Sequence, residues 1–242
     1  MKPRILISRA EHIPSENWND YATCVTDAGG VAIPYDLDTY YTQTKLPEYE
    51  GIVLTAGIDI QPHRYGEKPH PKVTDWSVER DNFEAALIED AVQNKKALLC
   101  ICRGIQLLNV WGGGSLLQHL TDREPHRARR NPTNQDIESG WHDVSIKTNS
   151  LLHKITGQNV IRVNSRHHQA VTESSLGKNI LGTGITPDGI VEAIEIANTH
   201  WTLGIQWHPE RPEMSENTIY DDGAKKIWYA FVEAAMLVNS TK

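Results

Sequence analysis

The chain has 242 residues, of which 39% are hydrophobic and 23% charged, and its formal net charge is −7. This length and apolar content suit one globular domain over residues 1–242 and exclude a disordered or collagen-like protein. Because 31 Asp and Glu outnumber 24 Lys and Arg, the composition argues against a nucleic-acid partner, which requires a basic excess to neutralise phosphates.

The first half of the chain alternates short apolar runs with longer amphipathic segments. Strands are predicted at Arg4–Ser8, Val31–Ile33, Gly51–Thr55 and Ala97–Ile101, the second of them ended by Pro34. Helices are predicted at Asn17–Ala28, Asp75–Asn94 and Gly104–Trp111, with Asp75 as an N-cap. This alternation predicts a parallel sheet covered by helices on both faces.

The second half is less regular. Strands are predicted at Val144–Lys147, Val160–Val163, Ile190–Ile196 and Thr202–Trp207, and an amphipathic helix at Gly223–Asn239. Several of these strands follow each other without room for a helix, which indicates antiparallel pairing. The predicted fold class is therefore α/β, a single flavodoxin-like domain with a mostly parallel central sheet and added antiparallel strands. Two long irregular stretches, Gly57–Thr74 and Thr121–Gly140, are candidates for the walls of a site.

The sequence favours a cytoplasmic protein that does not contact a membrane. Its apolar runs fall far short of the roughly 20 residues that span a bilayer. The N-terminal MKPRILISRA turns polar at Glu11 and His12, so it lacks the apolar core of a signal peptide. Three cysteines cannot complete a disulfide framework, which fits a reducing compartment.

A cysteine stands where the fourth predicted strand gives way to a helix. In ALLCICRGIQ, Cys102 follows the strand directly. A strand-to-helix elbow exposes a nucleophile above the carboxyl ends of the strands, and the helix N-terminus favours the reactive thiolate. From this pattern alone a buried core cysteine is an open alternative. A metal pair with Cys100 is disfavoured, because alternate strand residues point to opposite faces.

A histidine with a nearby carboxylate ends the last predicted strand. In LGIQWHPE, Glu210 lies two residues after His208, and the rigid Pro209 joins them. A carboxylate that accepts the imidazole N–H fixes the tautomer and direction of a general base. A histidine near a glutamate is common on surfaces, but together with a cysteine on an elbow it completes a Cys–His–acid nucleophilic set.

Five segments resemble the class I glutamine amidotransferases and, more narrowly, their stand-alone γ-glutamyl hydrolase branch, which includes the γ-glutamyl-γ-aminobutyrate hydrolases. The segments are Leu54–Pro62 with Tyr65–Glu67, Cys102–Val110, Gly113–Gln118, Val163–Val171 and Gly204–Glu210. They occur in the order of the family and cover most of the chain. The resemblance implies no cofactor and no metal.

The resemblance also implies a role for each matched position. Cys102 would be the nucleophile, His208 the general base and then acid, and Glu210 the residue that orients the imidazole. The oxyanion hole would combine the backbone amide of Arg103 with one from the loop of Ala56 and Gly57. Contacts to the ends of a γ-glutamyl group would come from Gln106, Arg166, His167, His168 and Gln169.

The expected function is cysteine-dependent hydrolysis of the γ-glutamyl amide bond of a small γ-glutamyl amine, which releases glutamate and the amine. A glutaminase subunit that supplies ammonia to a separate synthase is the first alternative, disfavoured because no synthase is fused. A catalytically silent binding or regulatory relative is the second, and the intact Cys, His and Glu argue against it. The expected partner is the small-molecule substrate. A homo-oligomer is compatible with the sequence, and a synthase partner belongs only to the first alternative.

Two further features are assigned no chemistry. The basic cluster Asp122–Arg130 is expected to be a solvated loop, with a rim that attracts an anionic substrate as the alternative. His167 and His168 do not indicate a metal site, because adjacent side chains diverge and no spaced partner is evident. The other histidines are scattered among polar residues and are given no role: His63, His70, His142 and His153.

Overall fold

A computed structural model describes residues 1–9, 16–43, 45–121, 125–131, 133, 137–215 and 223–238. The strands are β1 (Arg4–Ser8), β2 (Val31–Tyr35), β3 (Gly51–Leu54), β4 (Ala97–Ile101), β5 (Arg129–Arg130), β6 (Ile137–Glu138), β7 (Gly140–Ile146), β8 (Val160–Ser165), β9 (Val171–Thr172), β10 (Ile180–Ile185), β11 (Ile190–Ile196) and β12 (Thr202–Ile205). The helices are α1 (Trp18–Asp27), α2 (Leu37–Thr42), α3 (Val78–Gln93), α4 (Arg103–Trp111), α5 (Leu151–Thr156), α6 (Pro212–Ser215) and α7 (Gly223–Val238). Short 3₁₀ turns lie at Pro62–Tyr65 and Glu173–Ser175. Residues 122–124 of the predicted basic loop and Asn239, the predicted helix end, lie outside the described residues.

One half of the central sheet is parallel. Its strands lie in the order β2-β1-β3-β4-β12, and every neighbouring pair is parallel. This is the flavodoxin-like order, in which ligands bind beyond the carboxyl ends of the strands. β4 is buried along its whole length, as expected for a strand that helices cover on both faces. The predicted fold class is confirmed.

The other half of the sheet is antiparallel. It continues from β12 in the order β11-β10-β7-β8, with β9 paired to β11. From His142 onward β7 alternates buried and exposed residues, which is typical of a strand with one face toward solvent. The sequence therefore predicts antiparallel strands appended to the parallel ones, although not every one of them.

Two hydrophobic layers cover the sheet. Alternate residues of β1 enter different layers: Ile5 and Ile7 belong to the layer that contains Phe231 of α7, and Leu6 to the layer that contains Phe83 of α3. This follows from the two-residue period of a strand. Within the described residues, no helix is long and apolar enough to cross a membrane.

Three local predictions were wrong. β2 continues through Pro34 to Tyr35, because an edge strand can place the position without an N–H on its unpaired side. The N-cap of α3 is Ser77 rather than Asp75, and its hydroxyl accepts from the Arg80 amide at 3.1 Å. β10 was missed because its ILGTGI has low strand propensity. Gly184 is needed there, since a Cβ would lie 2.9 Å from that of Ala193.

Candidate active site

Cys102 forms the turn between β4 and α4. Its φ of 51° and ψ of −100° lie in a region that non-glycine residues rarely adopt. The Cys102 amide donates to the Ile205 carbonyl at 2.8 Å, which ties the turn to β12. A Cβ on Gly104 would lie 2.9 Å from the Leu54 carbonyl oxygen, so the start of the helix approaches β3 closely. Cys102 therefore stands on a strained strand-to-helix elbow.

The surroundings of the other two thiols, Cys24 and Cys100, disfavour the reactive thiolate. Cys100 is fully buried, and burial together with Glu84 raises the pKa of its thiol well above the ordinary value. Burial, with Glu210 and nearby aspartates, raises the pKa of Cys24 to about 12. Both therefore remain protonated near neutrality, and Cys102 is the remaining candidate for a nucleophilic thiol.

His208 and Glu210 follow β12 and form a buried pair. His208 Nδ1 lies 2.7 Å from Glu210 Oε1, and since a carboxylate only accepts, Nδ1 carries the proton. Burial disfavours the imidazolium, but Glu210 and Cys102 both favour it and raise the pKa of His208 to about 10. Among the described residues, His208 Nε2 has no hydrogen-bond partner. Cys102 and Glu210 thus both favour the positively charged form of the His208 imidazole.

Two residues that sequence reasoning left without a role hold this arrangement. The Asn164 amide brackets the backbone of His208, donating to its carbonyl at 3.0 Å and accepting from its N–H at 2.9 Å. Gln206 Nε2 lies 3.5 Å from Cys102 Sγ. Both residues occur inside segments that carry the family resemblance, and this was the available signal.

Of the two amides in the predicted oxyanion loop, the structure leaves that of Gly57 available. The Ala56 N–H donates to the Tyr21 hydroxyl at 3.3 Å and is therefore occupied. Gly57 has a φ of 154°, a conformation that favours glycine. Within the described part of the chain, the amides of Gly57 and Arg103 donate to no other group. These two amides are the ones available to an oxyanion.

A buried network of charges lies behind both amides. Arg103 forms ion pairs with Asp81 and Glu84, and Arg80 Nε lies 2.9 Å from Glu84 Oε1. All four side chains are at most 5% exposed. Burial alone would raise the pKa of Glu84, but Arg103 and Arg80 lower it below its usual value. We call this set of Arg80, Asp81, Glu84 and Arg103 the paired cluster.

The paired cluster connects the elbow to the loop after β3. Arg80 Nη2 donates to the Ala56 carbonyl at 2.7 Å, and Asp81 Oδ2 accepts from the Gln61 amide at 3.0 Å. The side chain of Arg103 thus fixes one side of the predicted oxyanion hole, and Arg80 fixes the other. Sequence reasoning missed this network, although Arg80 and Glu84 interrupt the apolar face of the predicted helix at a spacing of four residues.

Of the predicted substrate contacts, Gln106 and Gln169 are connected to the Cys102 thiol through Gln206. Gln106 Nε2 donates to the Gln169 carbonyl at 3.1 Å and to Gln206 Oε1 at 3.2 Å. Gln169 Nε2 is buried and has no partner among the described residues. His168 lies farther along the same wall, where it is 27% exposed and its Nε2 is 2.8 Å from Asp59.

Arg166 and His167 point to other partners. Arg166 Nε donates to the Ser139 hydroxyl at 2.7 Å, and its Nη2 lies 3.4 Å from Glu213. His167 is buried, and its Nε2 lies 3.3 Å from Glu192. The structure therefore gives both residues protein partners, and their contact with a substrate stays a prediction.

Two groups of side chains among the described residues have donors close enough to hold a metal ion. One consists of Glu16, His208 and Glu210, and the other of His126, His142 and Glu192. The first belongs to the site just described. The second corrects the placement of His142, which was predicted to lie among polar residues but is buried against Glu192.

Comparison with known proteins places the chain in a family. The family model described as Peptidase C26 matches residues 8–210. This chain belongs to the Peptidase C26 family. The match includes Cys102, His208 and Glu210, and it confirms the resemblance to glutamine amidotransferase-like hydrolases. The roles of the individual residues stay predictions.

Similar proteins support the same placement. Protein NtpR of Enterococcus hirae is 36% identical over 200 residues, which are 82% of each chain. The γ-glutamyl-γ-aminobutyrate hydrolase of Escherichia coli O157:H7 is 32% identical over 198 residues, 78% of this chain and 76% of the relative. The crystal structure of a glutamine amidotransferase from Thermotoga maritima shares the fold, with a TM-score of 0.61, 16% identity and coverage of 100% of both chains.

Proposed function

We propose that this member of the family hydrolyses the γ-glutamyl amide bond of a small γ-glutamyl amine through a γ-glutamyl thioester on Cys102. The observation that carries the proposal is a cysteine on a strained elbow whose charge is coupled to a buried His–carboxylate pair. The similarity to a γ-glutamyl-γ-aminobutyrate hydrolase at 32% identity supports the substrate class.

The first half-reaction forms the thioester. Glu210 and Cys102 raise the pKa of His208 to about 10 against the effect of burial, which favours the imidazolium. The proposed reaction begins with the Cys102 proton on His208, because the thiolate is the reactive form of a cysteine nucleophile. The thiolate attacks the γ-carbonyl carbon, and the amides of Arg103 and Gly57 stabilise the oxyanion. His208 then gives its Nε2 proton to the leaving nitrogen as the C–N bond breaks, and the amine departs.

The second half-reaction restores the enzyme. A water molecule attacks the thioester carbonyl while His208 Nε2, now neutral, takes one of its protons. The C–S bond breaks, Cys102 leaves as a thiolate, and glutamate is released with the water oxygen in its γ-carboxylate. Throughout both steps Glu210 accepts from Nδ1 and keeps Nε2 directed to the reacting atoms.

A panel assay tests the substrate class. Glutamate release should be faster from one or more γ-glutamyl amines than from glutamine, compared by kcat/KM. A preference for glutamine that increases when a co-purified synthase is added would overturn the hydrolase assignment in favour of the ammonia-donating alternative. Absence of glutamate release from every compound, with no thioester adduct in the mass spectrum, would favour the silent relative.

A pair of cysteine variants tests the nucleophile. Cys102→Ala should lower kcat by about 10⁴-fold or more, because removal of a nucleophile abolishes the covalent route. Cys100→Ala is the matched control, since this thiol is buried two residues earlier and held protonated, and it should retain most of the activity. Loss of turnover in the control but not in Cys102→Ala would refute the assignment.

A further inference from the structure

The antiparallel half of the sheet contains a second buried cluster that the proposed chemistry does not use. Three imidazoles, those of His126, His142 and His167, surround the carboxylate of Glu192, and all four side chains are at most 4% exposed. They come from four separate segments: the loop before β5, β7, the loop after β8, and β11. We call this set the histidine cluster.

The distances within the histidine cluster are too long for strong hydrogen bonds. From Glu192 Oε1, His167 Nε2 lies 3.3 Å away, His142 Nε2 3.4 Å and His126 Nδ1 3.5 Å. Charge-assisted N–H···O bonds are about 2.7–2.9 Å long. In accordance with these distances, the three nitrogens and both Glu192 oxygens have no hydrogen-bond partner among the described residues. Five buried polar atoms thus face one another unpaired.

Neighbouring acceptors fix two of the imidazole tautomers. His126 Nε2 lies 2.9 Å from Asp188 Oδ2, and His167 Nδ1 lies 2.9 Å from the Gln169 carbonyl. Carboxylate and carbonyl oxygens only accept, so these nitrogens carry protons. In the neutral forms of His126 and His167 the nitrogens that face Glu192 therefore present lone pairs, and lone pairs directed at a carboxylate repel it unless a proton or a metal ion lies between them.

We propose that His126, His142 and Glu192 form a binding site for a divalent first-row transition ion, Zn²⁺ foremost, and that His167, whose Nε2 lies 3.3 Å from Glu192 Oε1, moves toward the ion as a fourth ligand. The donors of the first three residues lie within 4.8 Å of one another. A tetrahedral site with Zn–N bonds of about 2.0–2.1 Å has ligand–ligand edges of about 3.3 Å, close to the 3.3–3.5 Å that separate each imidazole nitrogen from Glu192 Oε1.

The surroundings of the cluster fit the same assignment. Imidazoles that bind metals usually donate their other N–H to a carboxylate or carbonyl, as His126 and His167 do here. The backbone also holds the ligands in place, because the His126 carbonyl accepts from the His167 amide at 3.0 Å and from the Ser165 hydroxyl at 3.0 Å. Imidazole nitrogens with a carboxylate oxygen are donors that suit Zn²⁺.

The bound ion would stabilise one wall of the active site. The Glu192 carbonyl accepts from the Gln206 amide at 2.8 Å, and Gln206 contacts Cys102. On the other side, His167 Nδ1 and Gln106 Nε2 bind the same Gln169 carbonyl. An ion in the histidine cluster would therefore fasten the loops of His126 and His167 to the sheet, next to the thiol but without touching it.

Metal analysis of the full chain, with any affinity tag removed, tests the proposal. After dialysis against metal-free buffer, the protein should keep about one zinc per chain. Chelation should lower its Tm, and Zn²⁺ added at about 100 times its Kd should restore about 5–10 °C. Co²⁺ added to the chelated protein should give visible bands without a sulfur-to-metal charge-transfer band, which distinguishes the cluster from a site at Cys102.

Variants place the ion and keep the test decisive. His142→Asn and Glu192→Gln should retain less than about a tenth of the zinc. His63→Asn, a change at an exposed histidine, and Cys102→Ala should retain all of it. If the unmodified chain retains no zinc and its Tm does not respond to Zn²⁺ or Co²⁺, the proposal is overturned, whether or not the two cluster variants fold. Zinc that disappears in Cys102→Ala would overturn it too, by placing the ion at the thiol.

Discussion

The paired cluster and the histidine cluster are both buried next to the candidate active site, but their charges are arranged differently. In the paired cluster two guanidinium groups meet two carboxylates, and every member forms an ion pair. In the histidine cluster a single carboxylate faces three imidazoles at 3.3–3.5 Å without a hydrogen bond. The first lies under the parallel strands and the second on the antiparallel ones.

This difference separates two ways to hold a loop beside the candidate nucleophile, Cys102. The paired cluster balances its own charges, and it fixes the oxyanion loop through the hydrogen bond from Arg80 to the Ala56 carbonyl. The histidine cluster leaves buried polar atoms unsatisfied, which is costly in a folded protein unless a ligand pairs them. The charges of the first are therefore balanced within the polypeptide, although Arg80 Nη1 and Arg103 Nε have no hydrogen-bond partner among the described residues. We expect the charge of Glu192 in the second to be balanced by the proposed ion.

The largest effect is expected from breaking the paired cluster. Glu84→Gln would leave two buried guanidinium groups with Asp81 as their remaining anion, and loss of one partner from a buried ion pair typically costs about 3–5 kcal/mol of unfolding free energy. Denaturant unfolding measures this loss. The control is Glu89→Gln on the same helix, where the side chain is exposed and the change should be within about 0.5 kcal/mol. Equal effects of the two variants would contradict the comparison.

The elbow and the parallel strands around the paired cluster could be predicted from the sequence, but neither cluster could. The elbow at Cys102 and the parallel strands are readable because each depends on a local pattern, a buried run followed by an apolar helix. The ion pairs of the Arg103 side chain were not predicted, because its partners Asp81 and Glu84 lie on another helix. The histidine cluster could not be predicted from the sequence for a stronger reason. No spacing along the chain relates His126, His142 and Glu192, and antiparallel pairing of β7, β10 and β11 brings their segments together.

A smaller effect should follow from chelation, and it should be independent of the first. Removing the proposed ion should lower Tm by several degrees in the unmodified chain, because the ion binds only the folded state. The decrease should be the same in Glu84→Gln, since the two clusters share no residue and separate sites add. Thermal unfolding of both proteins with and without chelator measures this. A decrease that vanishes in Glu84→Gln would show that the clusters act as one unit.

His208 belongs to neither cluster and should contribute a pH dependence of its own. Glu210 and Cys102 overcome burial and raise the pKa of His208 in the folded chain from 6.5 to about 10. A group with a raised folded pKa stabilises fully below its unfolded pKa, and the contribution is lost as pH increases through the folded value. The Tm should therefore decrease from pH 6.5 to about pH 10 by a few degrees more than in His208→Gln. Parallel curves for the two proteins would contradict this.

The smallest effect is expected one residue from His142, on the opposite face of β7. Asp143 is paired with Arg162 of β8 at 3.0 Å, and the two side chains are 56% and 46% exposed. Solvent screens such a pair, so Asp143→Asn should change the unfolding free energy by less than about 1 kcal/mol. It should also leave the zinc content of the chain intact, whereas His142→Asn should remove the zinc. The two variants change neighbouring positions of the same strand. Because adjacent strand residues point to opposite faces, one variant changes the solvent face and the other changes the face that carries the histidine cluster. Equal loss of zinc from Asp143→Asn and His142→Asn would mean that the integrity of the strand, and not the imidazole, determines binding of the ion. The contrast between the two clusters would then have no basis in their side chains.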